Sequence, residues 1–314
     1  MFKIQQEIFE TYSSELHSDI IKLCHFLELP LHYNHKGPKL FTNYQRIGTI
    51  VIFMRSRKSL RTFIKEFYEL KWVDWLGLKQ IPKKSTLHDW LKLFDLDLIR
   101  ELLSELVKEE KPSLMAIDAT GIDSWQRSRH YERRVFEDKQ HMPYAKLGII
   151  IDTKTMLIHD HVLRIKPRHD VIGANSILRR IKVKGVKILG DKGYDSEKLH
   201  EVTFSKGNIL YAPVRKSSRK LPRGKHRKRC FSGDADYFRR NTVESTFHSL
   251  KFTRISCLRS KKHHMKKREM AWCILVYNLE TKNKKLFLYV TVAYATFPDR
   301  PDKRKDLKSL FPKL

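Results

Sequence analysis

Acidic residues, cysteines and long apolar runs are all scarce in this sequence. It has 35 Asp and Glu against 64 Lys and Arg, which leaves a net charge of +29 and a pI near 10. This surplus is larger than solubility requires and predicts a polyanionic partner. There are four cysteines, without a Cys-x-x-Cys pair, which argues against a disulfide framework and favours reduced thiols. They are Cys24, Cys230, Cys257 and Cys273.

No stretch approaches the ~20 consecutive apolar residues that a membrane-spanning helix needs. The longest candidate, Leu286 to Phe297, is too short, and the first ten residues hold no apolar signal core. We therefore expect no membrane association and a cytoplasmic, nucleoid-associated protein. With 314 residues and 41% hydrophobic content, the chain can bury a real core, which excludes intrinsic disorder.

Basic residues are concentrated in two runs without any acid. The first, Arg215 to Arg229, contains Pro222 and Gly224 and predicts a basic loop over residues 214–230. The second extends from Arg259 to Arg268. A solvated tract is the ordinary explanation for one such run. Two runs in a chain of charge +29 favour phosphate binding, and we expect DNA contacts in the first run. The residues expected to make them are Arg227, Lys228 and Arg229.

The chain divides near Pro112. Before it, apolar residues recur at helical spacing over residues 7–29 and 44–70, and no strand pattern is present. Ser85 or Thr86 is predicted to cap a helix starting at Leu87, in a helix-turn-helix-like arrangement. A plain bundle helix explains that pattern equally well. We expect residues 1–110 to form a helical DNA-binding or assembly domain.

After Pro112 the pattern changes to short apolar runs bounded by turn residues, which predicts buried strands. Helices are predicted over residues 171–181 and 196–204. Strands that alternate with helices indicate an α/β fold, a mixed sheet flanked by helices. The five strands are predicted at residues 113–118, 147–152, 156–165, 186–189 and 208–213.

Two acids stand where these strands are predicted to end. Asp118 closes the first strand and Asp191 follows the fourth, and either could simply cap a turn. Asp195, four residues after Asp191, is predicted to be a turn cap.

A third acid, Glu244, lies in a patterned segment. Tyr237, Arg240, Glu244 and Lys251 fall within an arc of roughly 60° on one predicted helix. A helix that docks the adjoining apolar stripe on the sheet could bring Glu244 to the other two acids. A salt-bridged surface helix is the ordinary explanation, because Arg240 and Glu244 are an i,i+4 pair.

The spacing Tyr-x2-Arg-x3-Glu-x6-Lys resembles the YREK signature of DDE transposases from bacterial and archaeal insertion sequences. Ile117 to Ile122 is similar to the segment around their first aspartate, and Gly190 to Ser196 to that around their second. The resemblance covers residues 79–278. It implies a ribonuclease-H-like catalytic domain over residues 111–283, followed by a C-terminal tail over 284–314. The role of the apolar run in that tail stays open.

The resemblance also implies a reaction and a site. Asp118, Asp191 and Glu244 would be catalytic residues that hold two Mg²⁺ or Mn²⁺ ions, since phosphodiester transfer suits two divalent ions on hard oxygen ligands. Tyr237, Arg240 and Lys251 would contact DNA. The expected function is a transposase that binds its element's terminal inverted repeats, cleaves double-stranded DNA and joins it to target DNA, as a dimer or larger assembly. A nuclease or resolvase without strand transfer, or a domesticated DNA-binding protein, are the alternatives.

Overall fold

The computed structural model describes residues 2–33, 39–124, 145–165, 169–215, 224–255 and 257–296. The middle of the predicted basic loop, residues 216–223, and the predicted tail beyond residue 296 lie outside the described residues.

The first 110 residues form helices, as their periodicity predicts. The described residues of this part contain no strand. Hydroxyl and carboxylate side chains cap three of the helices: Thr42 with Gln45 forms a capping box, and Ser59 and Asp95 accept backbone N–H groups. The six helices are α1 (Phe2–Phe26), α2 (Asn43–Ser56), α3 (Leu60–Phe67), α4 (Trp72–Trp75), α5 (Lys84–Leu93) and α6 (Leu96–Leu106).

The predicted cap of α5 is wrong. The helix begins at Lys84, so Ser85 and Thr86 lie inside its first turn, and the capping position belongs to Lys83, which makes no side-chain cap. Pro82 is buried just before this start, and the extended residue that opens the helix is Lys83 (φ −68°, ψ 158°). The long connection between α3 and α5 also contains α4, whereas a helix-turn-helix uses a turn of about 3–4 residues.

The second part is built on a six-stranded mixed sheet, in which five strands have the order β3-β2-β1-β4-β5 and the sixth, β6, pairs with β1. Strands β1, β2 and β3 pair in antiparallel fashion, whereas β4 and β5 run parallel to β1. This order and these directions are those of a ribonuclease-H-like fold, which confirms the predicted class. The strands are β1 (Leu114–Ser124), β2 (Ala145–Asp152), β3 (Ile158–Arg164), β4 (Lys187–Leu189), β5 (Ile209–Tyr211) and β6 (Cys257–Leu258).

Strand β1 is longer than its apolar run. It continues past Asp118 to Ser124, because β2 pairs with it as far as Ile122 and β6 pairs with its last two residues. The prediction that Asp118 ends the strand was therefore wrong. Polar residues continue the strand because backbone pairing does not require apolar side chains.

Helices cover both faces of the sheet. Helices α7 (Asp170–Arg180) and α8 (Glu197–Ser205) pack on one face, and α9 (Thr242–Thr253) and α10 (His263–Thr296) on the other. Because side chains alternate along a strand, Ile150 faces the first pair while Ile149 and Ile151 face the second. Residue 284, where the tail is predicted to start, lies within α10. In the described part of the chain, no helix is both long and apolar enough to cross a membrane.

The core does not stop at the predicted domain boundary. Buried residues of α1, α2, α5 and α6 belong to one apolar cluster with α9, α10 and one sheet face. Basic side chains from the C-terminal part also donate to carbonyls near the ends of the N-terminal helices. Arg254 donates to Arg55 O at 3.2 Å, Arg268 to Lys92 O at 2.5 Å, and Lys282 to Leu106 O at 3.4 Å. These three hydrogen bonds form a polar seam between the two parts of the chain, and Arg268 of the second basic run contributes one of them.

Candidate active site

Parallel pairing brings the first two acids together. The register of β1 and β4 aligns Ala116 with Leu189, which is the last paired rung. Asp118 follows Ala116 by two residues, and Asp191 follows Leu189 by two. A step of two keeps a side chain on the same face of a strand. The charge of Asp191 contributes to raising the pKa of Asp118, in agreement with this proximity.

A tight turn holds Asp191 at the end of β4. Its Oδ1 accepts the Gly193 N–H at 2.7 Å and thereby caps a 3₁₀ turn over Lys192–Tyr194. A Cβ on Gly193 would lie 2.8 Å from that oxygen, so glycine is needed for this approach. Tyr194 is fully buried beneath the site, where burial and then the charge of Asp118 raise the pKa of its hydroxyl.

The segment that carries the third acid is not one α-helix, which corrects the predicted stripe. Residues Tyr237–Asn241 form a 3₁₀ helix, and α9 begins only at Thr242. Tyr237 and Arg240 therefore precede the α-helix that bears Glu244 and Lys251. Periodicity alone misses this change, because both helix types repeat every three to four residues.

Arg240 connects the carboxylates. Its Nη1 lies 3.2 Å from Asp118 Oδ2 and its Nη2 lies 2.5 Å from Glu244 Oε1. Burial raises the pKa of Asp118 to about 6, and Arg240 and the Ala119 N–H oppose this shift by favouring the charged form. The arginine thus compensates two of the three predicted acids in this arrangement.

Lys251 and Tyr237 flank this cluster. Lys251 Nζ donates to Thr120 Oγ1 on β1 at 2.6 Å, and burial lowers the pKa of this lysine. Tyr237 packs edge-on against Tyr211 of β5, with 5.6 Å between ring centroids, and burial raises the pKa of its hydroxyl. Asp191 thus lies at the end of β4 and Arg240 links Asp118 to Glu244, whereas Lys251 lies further along β1, at Thr120.

The donor chemistry of this site suits a hard divalent cation, because Asp118, Asp191 and Glu244 offer carboxylate oxygens and Asp118 is partly desolvated. In the described ranges, however, no three His, Cys, Asp or Glu side chains are grouped closely enough to hold an ion. Glu244 reaches Asp118 only through Arg240.

A second ion pair beside Asp118 was missed by the sequence argument. Lys146 of β2 and Asp170 of α7 lie 2.5 Å apart, and both line a small cavity with Asp118 and Tyr194. Helix α7 begins at Asp170, one residue before the predicted start, and His169 takes its N-cap position. No local pattern indicates the pairing, because Lys146 and Asp170 meet only through the placement of α7 on the sheet.

The described ends of the basic loop also touch the Asp191 turn. Arg227 forms an ion pair with Asp195, whose side chain is fully buried, whereas Lys228 and Arg229 are exposed. The loop was predicted as one DNA-binding unit, and the structure places its members in different surroundings. The sequence contains no signal for this difference, because three consecutive cations look equivalent.

The mixed sheet and the helices on its two faces define a ribonuclease-H-like fold. Residues 109–279 match the family model described as transposase DDE domain, and the chain belongs to this family. No curated protein matches the chain. Among solved structures, one similar to it is a piggyBac transposase synaptic complex with hairpin DNA, at 12% identity and a TM-score of 0.38, covering 95% of this chain and 82% of that chain.

Proposed function

We propose that this transposase binds the terminal inverted repeats of its own element, cleaves the DNA and joins the freed end to target DNA. The observation that carries the proposal is the register of β1 and β4, which sets Asp118 and Asp191 side by side, with Glu244 linked to Asp118 through Arg240.

Asp118, Asp191 and Glu244 would hold two Mg²⁺ or Mn²⁺ ions. When bound, such ions activate the attacking oxygen and stabilise the leaving oxygen of a phosphodiester. The residues of the chain supply the rest: the Asp191 turn fixes one carboxylate rigidly, and β1 fixes another in mid-strand, where pairing with β2 supports it.

The cationic and aromatic residues around these acids would bind the DNA end. Arg240 and Lys251 are the phosphate contacts, and Tyr237 offers a hydroxyl or a ring face. Lys228 and Arg229 add exposed charge at the described end of the basic loop. Contacts of this kind set position and affinity, whereas base contacts set specificity.

We assign sequence recognition to residues 1–110, with α5 as the reading helix. It buries Leu87, Trp90 and Leu91 and exposes Ser85 and His88. Joining two element ends in one complex requires at least two copies of the chain, so the active form is a dimer or larger.

The test removes one carboxylate at a time. Asp118→Asn, Asp191→Asn and Glu244→Gln are each expected to abolish Mg²⁺-dependent cleavage while end binding, measured by mobility shift, is largely retained, because phosphate contacts come from Lys and Arg. The matched control is Glu201→Gln, which removes one exposed carboxylate from α8. Near wild-type cleavage by Asp191→Asn, or full activity in excess chelator, would overturn the proposal.

A further inference from the structure

The short 3₁₀ helix Arg227–Cys230 has an inner and an outer side. Cys230 is buried, and its Sγ lies 3.8 Å from Leu210 O on β5. Lys228 and Arg229 face solvent. The helix is therefore docked on the sheet edge and presents two cations outward.

Arg227 holds the inner side. Its Nε and Nη2 each lie 2.6 Å from a different oxygen of Asp195, a paired geometry that only a guanidinium can make. The Asp195 side chain has no exposed surface, and it also accepts the Arg215 N–H at 2.9 Å. Burial alone would raise the pKa of Asp195, but the hydrogen bonds from Arg227 and Arg215 outweigh it and lower the pKa.

Both described ends of the basic loop fasten to the turn that carries Asp191. The Arg215 guanidinium donates to Lys192 O at 2.8 Å and to Gly193 O at 3.0 Å. At the other end, Glu197 accepts the backbone N–H groups of His226 and Arg227 at 2.9 and 3.1 Å. The turn that carries Asp191 and the first residue of α8 thus have polar links to residues 215, 226 and 227.

We propose that Arg227 and Asp195 are positioning residues, which fix the Asp191 turn relative to a DNA-binding surface formed by Lys228 and Arg229. The inference rests on the proposed function, since it takes Asp191 as a catalytic carboxylate and DNA as the ligand. Phosphates bound by Lys228 and Arg229 would limit the motion of the 3₁₀ helix. Because Arg227 of this helix is paired with Asp195, the motion of the Asp191 turn would be limited as well. Arg227 is then no phosphate contact, in contrast to its two neighbours.

Arg227→Gln and Arg229→Gln form a matched pair, because each removes one guanidinium from the same 3₁₀ helix. For Arg227→Gln we expect kcat of DNA nicking, at saturating DNA, to fall about 10- to 100-fold, as for other partners that orient site ligands, with DNA affinity nearly unchanged. For Arg229→Gln we expect the loss in DNA affinity, with the slope of log K against log salt smaller by about 0.9. Lys206→Gln, an exposed charge at the end of α8, is the control for net charge.

Two measurements separate positioning from simple loss of structure. Thermal unfolding identifies variants that do not fold, and Arg227→Lys, which keeps the charge but loses the two-pronged pairing, then replaces Arg227→Gln. Hydrogen exchange of the peptide spanning residues 191–195 should show added protection when a short mixed-sequence duplex binds the wild type. In the Arg227 variant the duplex should bind without adding this protection.

The double variant Asp195→Asn with Arg227→Gln should lose no more kcat than the more damaging single variant, because the two side chains act as a pair. The inference is overturned if Arg227→Gln loses affinity and salt slope as Arg229→Gln does, or if its kcat equals that of the wild type. Cleavage without metal, or an active Asp191→Asn, would instead refute the proposed function. The exchange result on bound DNA would still stand in that case.

Discussion

At the scale of single residues, three arginines of this protein have three different environments. Arg240 spans two carboxylates at the site, Arg227 is paired with a buried carboxylate behind it, and Arg229 lies in solvent over the Phe204 ring, 5.9 Å from its centroid. Partners decide these environments, and each partner comes from a different element. Because Arg227 and Arg240 are already paired with carboxylates of the protein, the net charge of +29 overstates the positive charge that is available to DNA.

Two histidines of β3, the buried His161 and the half-buried His159, predict a loss of stability in acid. Burial, followed by the charges of Arg100 and Arg180, lowers the pKa of His161 to about 3, and burial lowers that of His159 to about 4. In the unfolded chain both titrate near 6.5. Between pH 6.5 and about 4 the unfolded state therefore binds protons that the native state does not, so the free energy of unfolding falls as pH falls.

His161→Gln tests this prediction. Each such histidine contributes about 1.4 kcal/mol of lost stability per pH unit in that window, and a glutamine at 161 removes one contribution. We expect urea unfolding to show a smaller difference between pH 6.5 and pH 5 for the variant than for the wild type. An unchanged difference would mean that His161 takes up its proton in the native state.

At the scale of elements, Glu280 of α10 connects three segments. Its carboxylate pairs with Arg55 of α2 at 3.0 Å and with Arg254, which follows α9. Glu280 is about 7% exposed, so its removal leaves two arginines without their shared acid in a largely buried place. Breaking one partner of a buried pair costs about 3–5 kcal/mol, since the remaining charge stays desolvated.

Glu280→Gln is therefore expected to lower the free energy of unfolding by about that amount, read from urea or thermal denaturation. The control is Asp97→Asn on α6, an exposed i,i+3 partner of Arg100, which should change stability by less than about 0.5 kcal/mol. Equal effects of the two variants would show that the Glu280 network does not join α2, α9 and α10.

The predictable parts of the fold are those that short-range patterns encode. The continuous apolar run around Ile150 requires a strand buried on both faces, and β2 lies there. The end of β1 was not predictable, because Thr120 and Asp123 interrupt the apolar pattern and only pairing with β2 and β6 extends the strand. The three acids are candidates that the sequence can propose, since each stands in a distinctive local motif, and their catalytic role stays a prediction. The pairing of Asp195 with Arg227 could not be predicted, because 32 residues separate them and only the fold brings them together.

At the scale of the whole molecule, the two predicted domains share one core and one polar seam. Helix α10 packs against α1, α2 and α6, and arginines after α9 donate to the carbonyls of α2 and α5. A helical part that depends on α10 for burial is unsuited to study as an isolated fragment. Recognition of DNA ends by the first 110 residues is therefore best tested in the full chain, by changes on an exposed face.

The outer face of α5 supplies those changes. Lys84, Ser85 and His88 are exposed there, while Leu87 and Trp90 anchor the opposite face in the core, so substitutions on the outer face leave packing intact. If α5 lies in a major groove, Ser85→Ala and His88→Ala should each reduce the preference for terminal-repeat over scrambled DNA by about 10-fold, within the 1–3 kcal/mol of a base contact. Lys84→Gln should weaken both DNAs alike and reduce the salt slope by about 0.9. Competition binding measures the ratio. A ratio that neither Ser85→Ala nor His88→Ala changes would place sequence reading in the sheet-bearing part and leave the N-terminal helices as an assembly module.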